Sequence, residues 1–207
     1  MSEQRSRWGW HRLDTQWAER LVDNAGIRPG DLVLDIGAGS GALTGPLLER
    51  GARVIAFELH HIRVQDLSRK FAHANVVVVH ADASDVRLPR RPFRVVSNPP
   101  FAIAVALLRR LTAPGSQLLR ADVVVPWHLA ERWVSGKAPG ADRWRKEFIC
   151  SIGRPIPRSA FSPPPPNGVS VLIIQRRGIR LESEGSTSIA APKNGPTARV
   201  HNLRRGR

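Results

Sequence analysis

A glycine-rich turn directly follows a short apolar run near the start of the chain, and few kinds of fold use this combination. The run Leu32–Ile36 has the length of a strand buried in a parallel sheet. The turn at 37–41 carries glycine at alternate positions, and the leucines that follow at 43, 47 and 48 have helical spacing. A strand, a glycine turn and a helix in this order predict an α/β fold in which the turn backbone closely approaches a ligand. The alternative is a glycine-rich turn that binds nothing.

The spacing of these glycines, G-x-G-x-G, indicates which ligand the turn would hold. Dinucleotide-binding turns have the spacing G-x-G-x-x-G, which accommodates a pyrophosphate at the helix N-terminus. S-adenosylmethionine has no pyrophosphate, so the departure favours this cofactor over NAD. Gly37, Ala38 and Gly39 are therefore candidate cofactor-binding residues.

Two acidic residues follow the next two predicted strands. Glu58 ends the apolar strand at 53–57, about 20 residues beyond the glycine turn, where a carboxylate holds a ribose diol in nucleotide-binding folds. Asp82 follows the valine run at 76–79 and is placed to accept a hydrogen bond from an adenine amine. Leu59 and Ala83, their neighbours in the sequence, are included as candidate cofactor contacts. For Asp82, the alternative is that its side chain caps a helix or turn.

The segment Asn98-Pro99-Pro100-Phe101 follows the fourth predicted strand, at 92–96. An exocyclic base amine is a poor nucleophile because its lone pair is delocalised into the ring, and acceptors that bind its hydrogens localise that pair. The Asn98 side-chain oxygen and the Pro99 carbonyl can both accept, while the prolines keep the backbone extended and remove competing donors. Phe101 offers a face on which the base can stack.

Asn and Pro also dominate ordinary turns, so this segment alone could be a turn with no chemistry. Its position argues for a site. The ends of successive parallel strands carry Glu58, Asp82 and Asn98, and ligands of open parallel sheets bind outside these carboxyl ends. We therefore expect Asn98, Pro99 and Phe101 to be catalytic, with Asn98 also close to the cofactor.

The charge of the chain indicates the partner class. Its 207 residues carry a net charge of +15, which favours a polyanion, and nucleic acid is the first candidate. A membrane surface is less favoured because the positive charge is not gathered on one amphipathic helix. A single cysteine, Cys150, excludes an intramolecular disulfide, and we see neither a signal peptide nor an apolar stretch long enough to span a membrane. The expectation is a cytoplasmic monomer with no metal site.

The sequence divides into three predicted regions. Residues 1–13 form a basic, tryptophan-containing arm, residues 14–177 the catalytic domain, and residues 178–207 a disordered basic tail. Within the domain, we predict helices at 16–25, 61–71 and 127–134 and a further strand at 118–125. The basic segment 135–146 is expected to be a mobile loop. The last two strands are expected at 147–153 and 168–176, separated by an extended, proline-rich path.

These motifs together resemble a known family. The segments 35–44, 57–58, 80–83 and 97–101 are similar to those of the Erm rRNA adenine-N6 methyltransferases, which confer macrolide resistance and are related to the KsgA-type small-subunit rRNA dimethylases. The similarity runs from about Trp8 to Arg176, and Phe161 with the prolines after it resembles a late motif of the family. The resemblance implies a Rossmann-like class I methyltransferase with a seven-stranded, mostly parallel sheet. It also implies S-adenosylmethionine as cofactor and an adenine in the macrolide-binding region of 23S rRNA as target.

By position, the resemblance places Gly37 and Gly39 at the methionine part of the cofactor, Glu58 at the ribose and Asp82 at the adenine, with Asn98 and Phe101 gripping the target base. The chain departs from the family in three places. Trp10-His11 replaces a Gln-Asn pair, so that His11 and Leu13 are expected beside the cofactor carboxylate. Phe101 replaces the more usual Tyr. The C-terminal helical domain is expected to be reduced or absent, as in the shortened actinobacterial Erm proteins.

Other functions stay open at this point. A KsgA-like 16S rRNA dimethylase or an adenine-N6 DNA methyltransferase would use the same Asn-Pro-Pro-Phe segment. A nucleic-acid-binding factor built on an inactive methyltransferase fold is an alternative of another class, although such a factor would be expected to have lost Asn98, Glu58 or the glycines.

Overall fold

The computed structural model describes residues 11–178. Three predictions lie wholly or largely outside this range: the tail at 178–207 beyond its first residue, the first ten residues of the arm, and the reduced or absent C-terminal helical domain. The strands are β1 (Arg12–Leu13), β2 (Leu32–Ile36), β3 (Arg53–Glu58), β4 (Val76–His80), β5 (Phe93–Ser97), β6 (Leu118–Pro126), β7 (Phe148–Ile156), β8 (Phe161–Ser162) and β9 (Val169–Arg176). The helices are α1 (Thr15–Ala25), α2 (Thr44–Glu49), α3 (His61–Lys70), α4 (Ala104–Leu111), α5 (Trp127–Val134) and α6 (Ala141–Trp144).

Seven of these strands form one sheet in the order β4-β3-β2-β5-β6-β9-β7. The pairs from β4 to β6 are parallel, and β9 runs antiparallel to both β6 and β7. The predicted seven-stranded, mostly parallel sheet is therefore confirmed. Strand β2 pairs with β3 on one side and with β5 on the other, so the direction of the strand order reverses at β2. The glycine turn after β2 therefore lies beside the end of β5, where Asn98 is.

Both faces of the sheet are covered, which explains why β2 is apolar at successive positions. Val33 faces a cluster that includes Leu21 of α1 and Leu47 of α2. Leu34 and Ile36 face the opposite cluster, which includes residues of α4 and α5. None of the helices within residues 11–178 has the length and hydrophobicity of a transmembrane span.

The expectation of a mobile loop at 135–146 is wrong for part of this segment. The short helix α6 brings Trp144, which is 5% exposed, against the fully buried Trp133 of α5, with ring centroids 4.8 Å apart. An aromatic pair of this kind adds about 0.5–1.5 kcal/mol to the stabilisation from area burial. Trp144 thus anchors a stretch whose exposed residues include Lys137, Arg143, Arg145 and Lys146.

The proline-rich stretch also differs from the prediction of an extended path. Strand β7 continues through Pro155 to Ile156, with an irregular register between Ile152 and Pro155. Proline is tolerated there because β7 is an edge strand. A single 3₁₀ turn at Arg158–Ala160 and strand β8 follow. Strand β8 pairs with β1 in a small second sheet that the sequence did not predict.

Candidate active site

A cleft opens at the carboxyl edge of the sheet, between the glycine turn, β1 and the start of the Asn98 segment. It brings together Leu13, Gly37, Ala38, Gly39 and Asn98, all of which were predicted as site residues. Its lining also includes residues that were not predicted, namely Arg12, Asp35, Ser40, Ala42 and Leu43.

The glycine turn packs directly against the Asn98 segment. Gly37 has a φ of 80°, and a Cβ at this position would lie 3.2 Å from Pro100 Cδ and 3.4 Å from Pro99 Cα. The backbone amides of Gly37 and Ala38 donate to the Phe57 carbonyl at 2.8 and 2.9 Å. Glycine is required at 37 both by the left-handed backbone and by this close approach. The cofactor turn and the proposed catalytic segment therefore share one interface.

Glu58 holds the same turn from the other side. Its side chain is buried, and Oε2 accepts a hydrogen bond from the Gly39 amide at 2.8 Å. Oε1 accepts from the His60 amide at 2.9 Å and lies 3.9 Å from Arg63 Nη1. An ionised carboxylate has about four lone-pair sites, so these two bonds leave acceptor capacity for a ligand. Leu59 is half-exposed beside it.

Asp82 caps a short 3₁₀ turn, Ala83–Asp85, as the alternative interpretation expected. Its Oδ1 accepts from the Ser84 amide at 2.8 Å and from the Ser84 hydroxyl at 2.7 Å. The hydrogen bond from the Ser84 amide, followed by that from its hydroxyl, lowers the pKa of Asp82. Glu58 pairs with His80 in the register of β3 and β4, so Asp82 lies two residues past the strand position opposite Glu58. The capping role and a ligand role for the other oxygen are compatible.

The amide of Asn98 has a fixed orientation. Its Nδ2 donates to the His11 carbonyl at 2.8 Å, and this bond determines which end of the amide is nitrogen. The hydroxyl of the preceding Ser97 donates to the Ile36 carbonyl at 2.6 Å, which ties the end of β5 to β2. Oδ1 is thereby left as the acceptor, which is the role expected from the sequence.

The side chain of His11 contacts residues that lie outside the cleft lining. Its Nδ1 donates to the Pro163 carbonyl at 2.8 Å, and its ring lies 5.4 Å from that of Phe101, with 35° between the planes. His11 is not part of the cleft lining, whereas its neighbours Arg12 and Leu13 are. That His11 lies beside the cofactor carboxylate stays a prediction: its ring contacts Pro163 and Phe101, and its backbone carbonyl accepts a hydrogen bond from Asn98.

Asp35 is a site residue that the sequence analysis did not single out. It is 1% exposed, and Oδ2 accepts from the Thr44 hydroxyl at 2.7 Å. Its Oδ1 is buried and has no hydrogen-bond partner among residues 11–178. A buried acceptor without a donor is costly, so this oxygen in the cleft wall points to a donor on a ligand. The sequence feature that could have identified Asp35 is its position as the one charged residue in the apolar run 32–36.

Burial raises the pKa of Asp35 from its ordinary value of 3.8 to about 7, and the charge of Glu58 acts in the same direction. Between these two values the folded chain binds more protons than the unfolded chain, so the free energy of unfolding falls as pH rises through this window. We expect Asp35→Asn to remove a pH-dependent loss of stability of at most about 4 kcal/mol between pH 4 and 7. Thermal unfolding at pH 5 and pH 8 covers most of this window, in which the loss is at most about 3 kcal/mol.

The exposed Asp66 on α3 offers the matched control, since Asp66→Asn removes a carboxylate that has a solvated ion pair with Arg69. The Asp66→Asn variant should follow the wild-type pH dependence. If Asp35→Asn lost as much stability between pH 5 and 8 as the wild type, Asp35 would not be the buried acid described here.

Comparisons with known proteins agree with this geometry. The family model described as "Ribosomal RNA adenine dimethylase" matches residues 1–184. The chain is 36% identical over 163 residues to an "rRNA adenine N-6-methyltransferase" of Bacillus licheniformis, an alignment that covers 77% of this chain and 57% of that protein. It is 34% identical over 180 residues to a "Probable ribosomal RNA small subunit methyltransferase A" of Methanopyrus kandleri, which covers 81% of this chain and 62% of that protein.

Among solved structures, the "23S rRNA methyltransferase ErmE" superposes with a TM-score of 0.71 at 26% sequence identity. The match covers 82% of this chain and 70% of that one. Of the two curated relatives named above, from Bacillus and Methanopyrus, the chain spans less than two thirds of the length.

Proposed function

The chain belongs to the ribosomal RNA adenine dimethylase family, and from this premise we propose that it transfers methyl groups from S-adenosylmethionine to N6 of an adenine in rRNA. The observation that carries the proposal is the amide of Asn98. The His11 carbonyl holds Nδ2, so that Oδ1 is presented as an acceptor at the edge of the cleft. This is the group that an amine nucleophile requires.

The residues of the cleft, together with those at the ends of β3 and β4 outside its lining, fit this cofactor. The buried, unpartnered Oδ1 of Asp35 suits the cofactor's ammonium group, and Gly37 and Gly39 leave room for its methionine part. Glu58 would accept from the ribose hydroxyls with its remaining lone pairs. Leu59, Asp82 and Ala83 would hold the adenine, through apolar contact and through the free oxygen of Asp82. Bound S-adenosylmethionine would supply the electrophilic methyl group, whose bond to sulfur breaks with both electrons left on sulfur.

The chain's own contribution is to hold and orient the nucleophile. Asn98 Oδ1 and the Pro99 carbonyl would accept the two hydrogens of the adenine amine, which localises the nitrogen lone pair. Phe101, half-buried and backed by His11, would stack on the base, and stacking of this kind contributes roughly 1–3 kcal/mol per base. No strong base is needed, because the amine loses its proton to water readily once the new bond gives it positive charge.

We further propose that the target lies in the macrolide-binding region of 23S rRNA and that its methylation gives resistance to macrolide-type antibiotics. The similarity to the structure of the 23S rRNA methyltransferase ErmE supports this choice. A small-subunit target is the second candidate, supported by the similarity to the Methanopyrus protein at nearly the same identity. Either substrate places the protein in the cytoplasm, where ribosomes are assembled.

Primer extension distinguishes the two targets. Because N6-dimethyladenine stops reverse transcriptase, rRNA from cells that express the chain should show a new stop in 23S rRNA that is absent from cells without it. The same cells should tolerate a higher macrolide concentration. A new stop confined to 16S rRNA, with unchanged macrolide sensitivity, would instead identify the small-subunit activity.

A further inference from the structure

Arg12 is held at the rim of the cleft by its backbone. In the pairing of β1 with β8, Arg12 lies opposite Ser162 and Leu13 lies opposite Phe161. The Asp14 amide donates a hydrogen bond to the Ala160 carbonyl at 2.9 Å. Leu13 is 2% exposed, so its side chain is anchored in the core. The position of Arg12 is thereby fixed, while its side chain is exposed and borders the cleft beside the glycine turn.

The guanidinium of Arg12 has no ion pair and no hydrogen bond within residues 11–178. Several other arginines that the structure describes are committed to acidic groups or carbonyls. Arg94 binds Asp31 and the Gly26 carbonyl, Arg120 binds Asp122 with two hydrogen bonds, and Arg176 binds Glu147. The guanidinium of arginine is a rigid, permanently charged fork that suits a carboxylate, and Arg12 is one of the residues that line the cleft.

The cleft offers two different groups to a ligand. Asp35 lies in its wall, buried and with an unpaired oxygen, whereas Arg12 lies at its rim as a cation. A ligand group that has both an ammonium and a carboxylate on one carbon matches this arrangement, since the ammonium can donate to the Asp35 oxygen and the carboxylate can accept from Arg12. This is the α-amino acid end of the cofactor.

We propose that Arg12 binds the α-carboxylate of the methionine part of S-adenosylmethionine. The proposal rests on the proposed function, since it presumes that the cleft holds this cofactor. Arg12 would then make the contact with the cofactor carboxylate that the sequence predicted for its neighbour His11. Its consequence is selectivity, because the chain should discriminate the intact cofactor from an analogue that lacks the carboxylate.

Calorimetric titration with S-adenosylmethionine and with decarboxylated S-adenosylmethionine tests the proposal without any catalysis. Wild type should bind the intact cofactor roughly tenfold to a hundredfold more tightly than the decarboxylated analogue, the range expected for a charge-assisted hydrogen bond. Arg12→Ala should lose that same factor for the intact cofactor and bind the analogue as wild type does. Arg12→Lys, which keeps the charge but not the fork, should fall between the two.

Arg91→Ala is the control, because Arg91 is exposed just before β5, at the opposite edge of the sheet. It should titrate as wild type. The proposal is overturned if Arg12→Ala binds both compounds as wild type does, or weakens both equally, which would indicate a structural role. If wild type binds neither compound, the proposed cofactor itself is wrong, and this result is distinguishable from a failure of Arg12 alone.

Discussion

Asn98→Ala is expected to lower methyl transfer to rRNA by at least about a hundredfold, because it removes a positioned acceptor whose effect is realised mainly on the way to the transition state. Binding of S-adenosylhomocysteine should change by no more than a few fold, since Glu58 and the glycine turn are untouched. Incorporation of tritiated methyl groups into rRNA measures the first quantity, and calorimetric titration measures the second. The variant removes the hydrogen bond to the His11 carbonyl as well.

Asn75→Ala is the matched control for this substitution, since Asn75 is exposed and immediately precedes β4 at the amino edge of the sheet. It should retain wild-type transfer. Transfer by Asn98→Ala within a few fold of wild type would show that Asn98 does not hold the nucleophile. A loss of cofactor affinity equal to the loss of transfer would show instead that Asn98 is mainly a cofactor ligand.

Glu58→Ala is expected to lower the affinity for S-adenosylhomocysteine by on the order of a hundredfold or more. The substitution removes the acceptor for the ribose and also leaves the Gly39 and His60 amides without their partner, and hydrogen bonds to charged groups contribute about 1.5–3 kcal/mol each. Transfer should fall with binding. Calorimetric titration gives the affinity, and circular dichroism shows whether the variant is folded.

Glu58 is buried, so Glu58→Gln provides a second variant that keeps the shape of the side chain. It retains one acceptor oxygen and places an amide donor where an acceptor was, and it should also bind weakly. Glu49→Ala, at the exposed end of α2, is the control and should bind as wild type. Wild-type affinity in a folded Glu58→Ala or Glu58→Gln variant would exclude the ribose role. It would also reopen the interpretation that the chain is a nucleic-acid-binding factor.

The placement of Asn98 beside the glycine turn was predictable because it follows from local patterns. Apolar runs at 32–36, 53–57, 76–79 and 92–96 identify parallel strands, and the residue after such a strand lies at the carboxyl edge whatever the rest of the chain does. Glu58 and Asn98 were therefore assigned to one edge before their partners were known. The structure adds the partners, and it shows that Glu58 also fixes the turn that it was predicted to accompany.

The positions of His11 and Arg12 were not predictable in the same way. They depend on the pairing of β1 with β8, strands that are about 150 residues apart in the chain and only two residues long. This long-range pairing, and no local pattern, decides which residues of the N-terminal segment border the cleft. The burial of Trp144 is a similar case, because its contact with Trp133 depends on how α6 folds back on α5.

We propose that this chain methylates N6 of an adenine in rRNA. Purified protein incubated with S-adenosylmethionine and protein-free 23S or 16S rRNA tests it most directly, when the RNA is digested to nucleosides and analysed by mass spectrometry. We predict N6-methylated adenosine in the 23S rRNA sample, and its absence when the Asn98→Ala variant is used. If neither RNA gains N6-methylated adenosine although the same protein preparation binds S-adenosylmethionine, the chain does not catalyse this reaction.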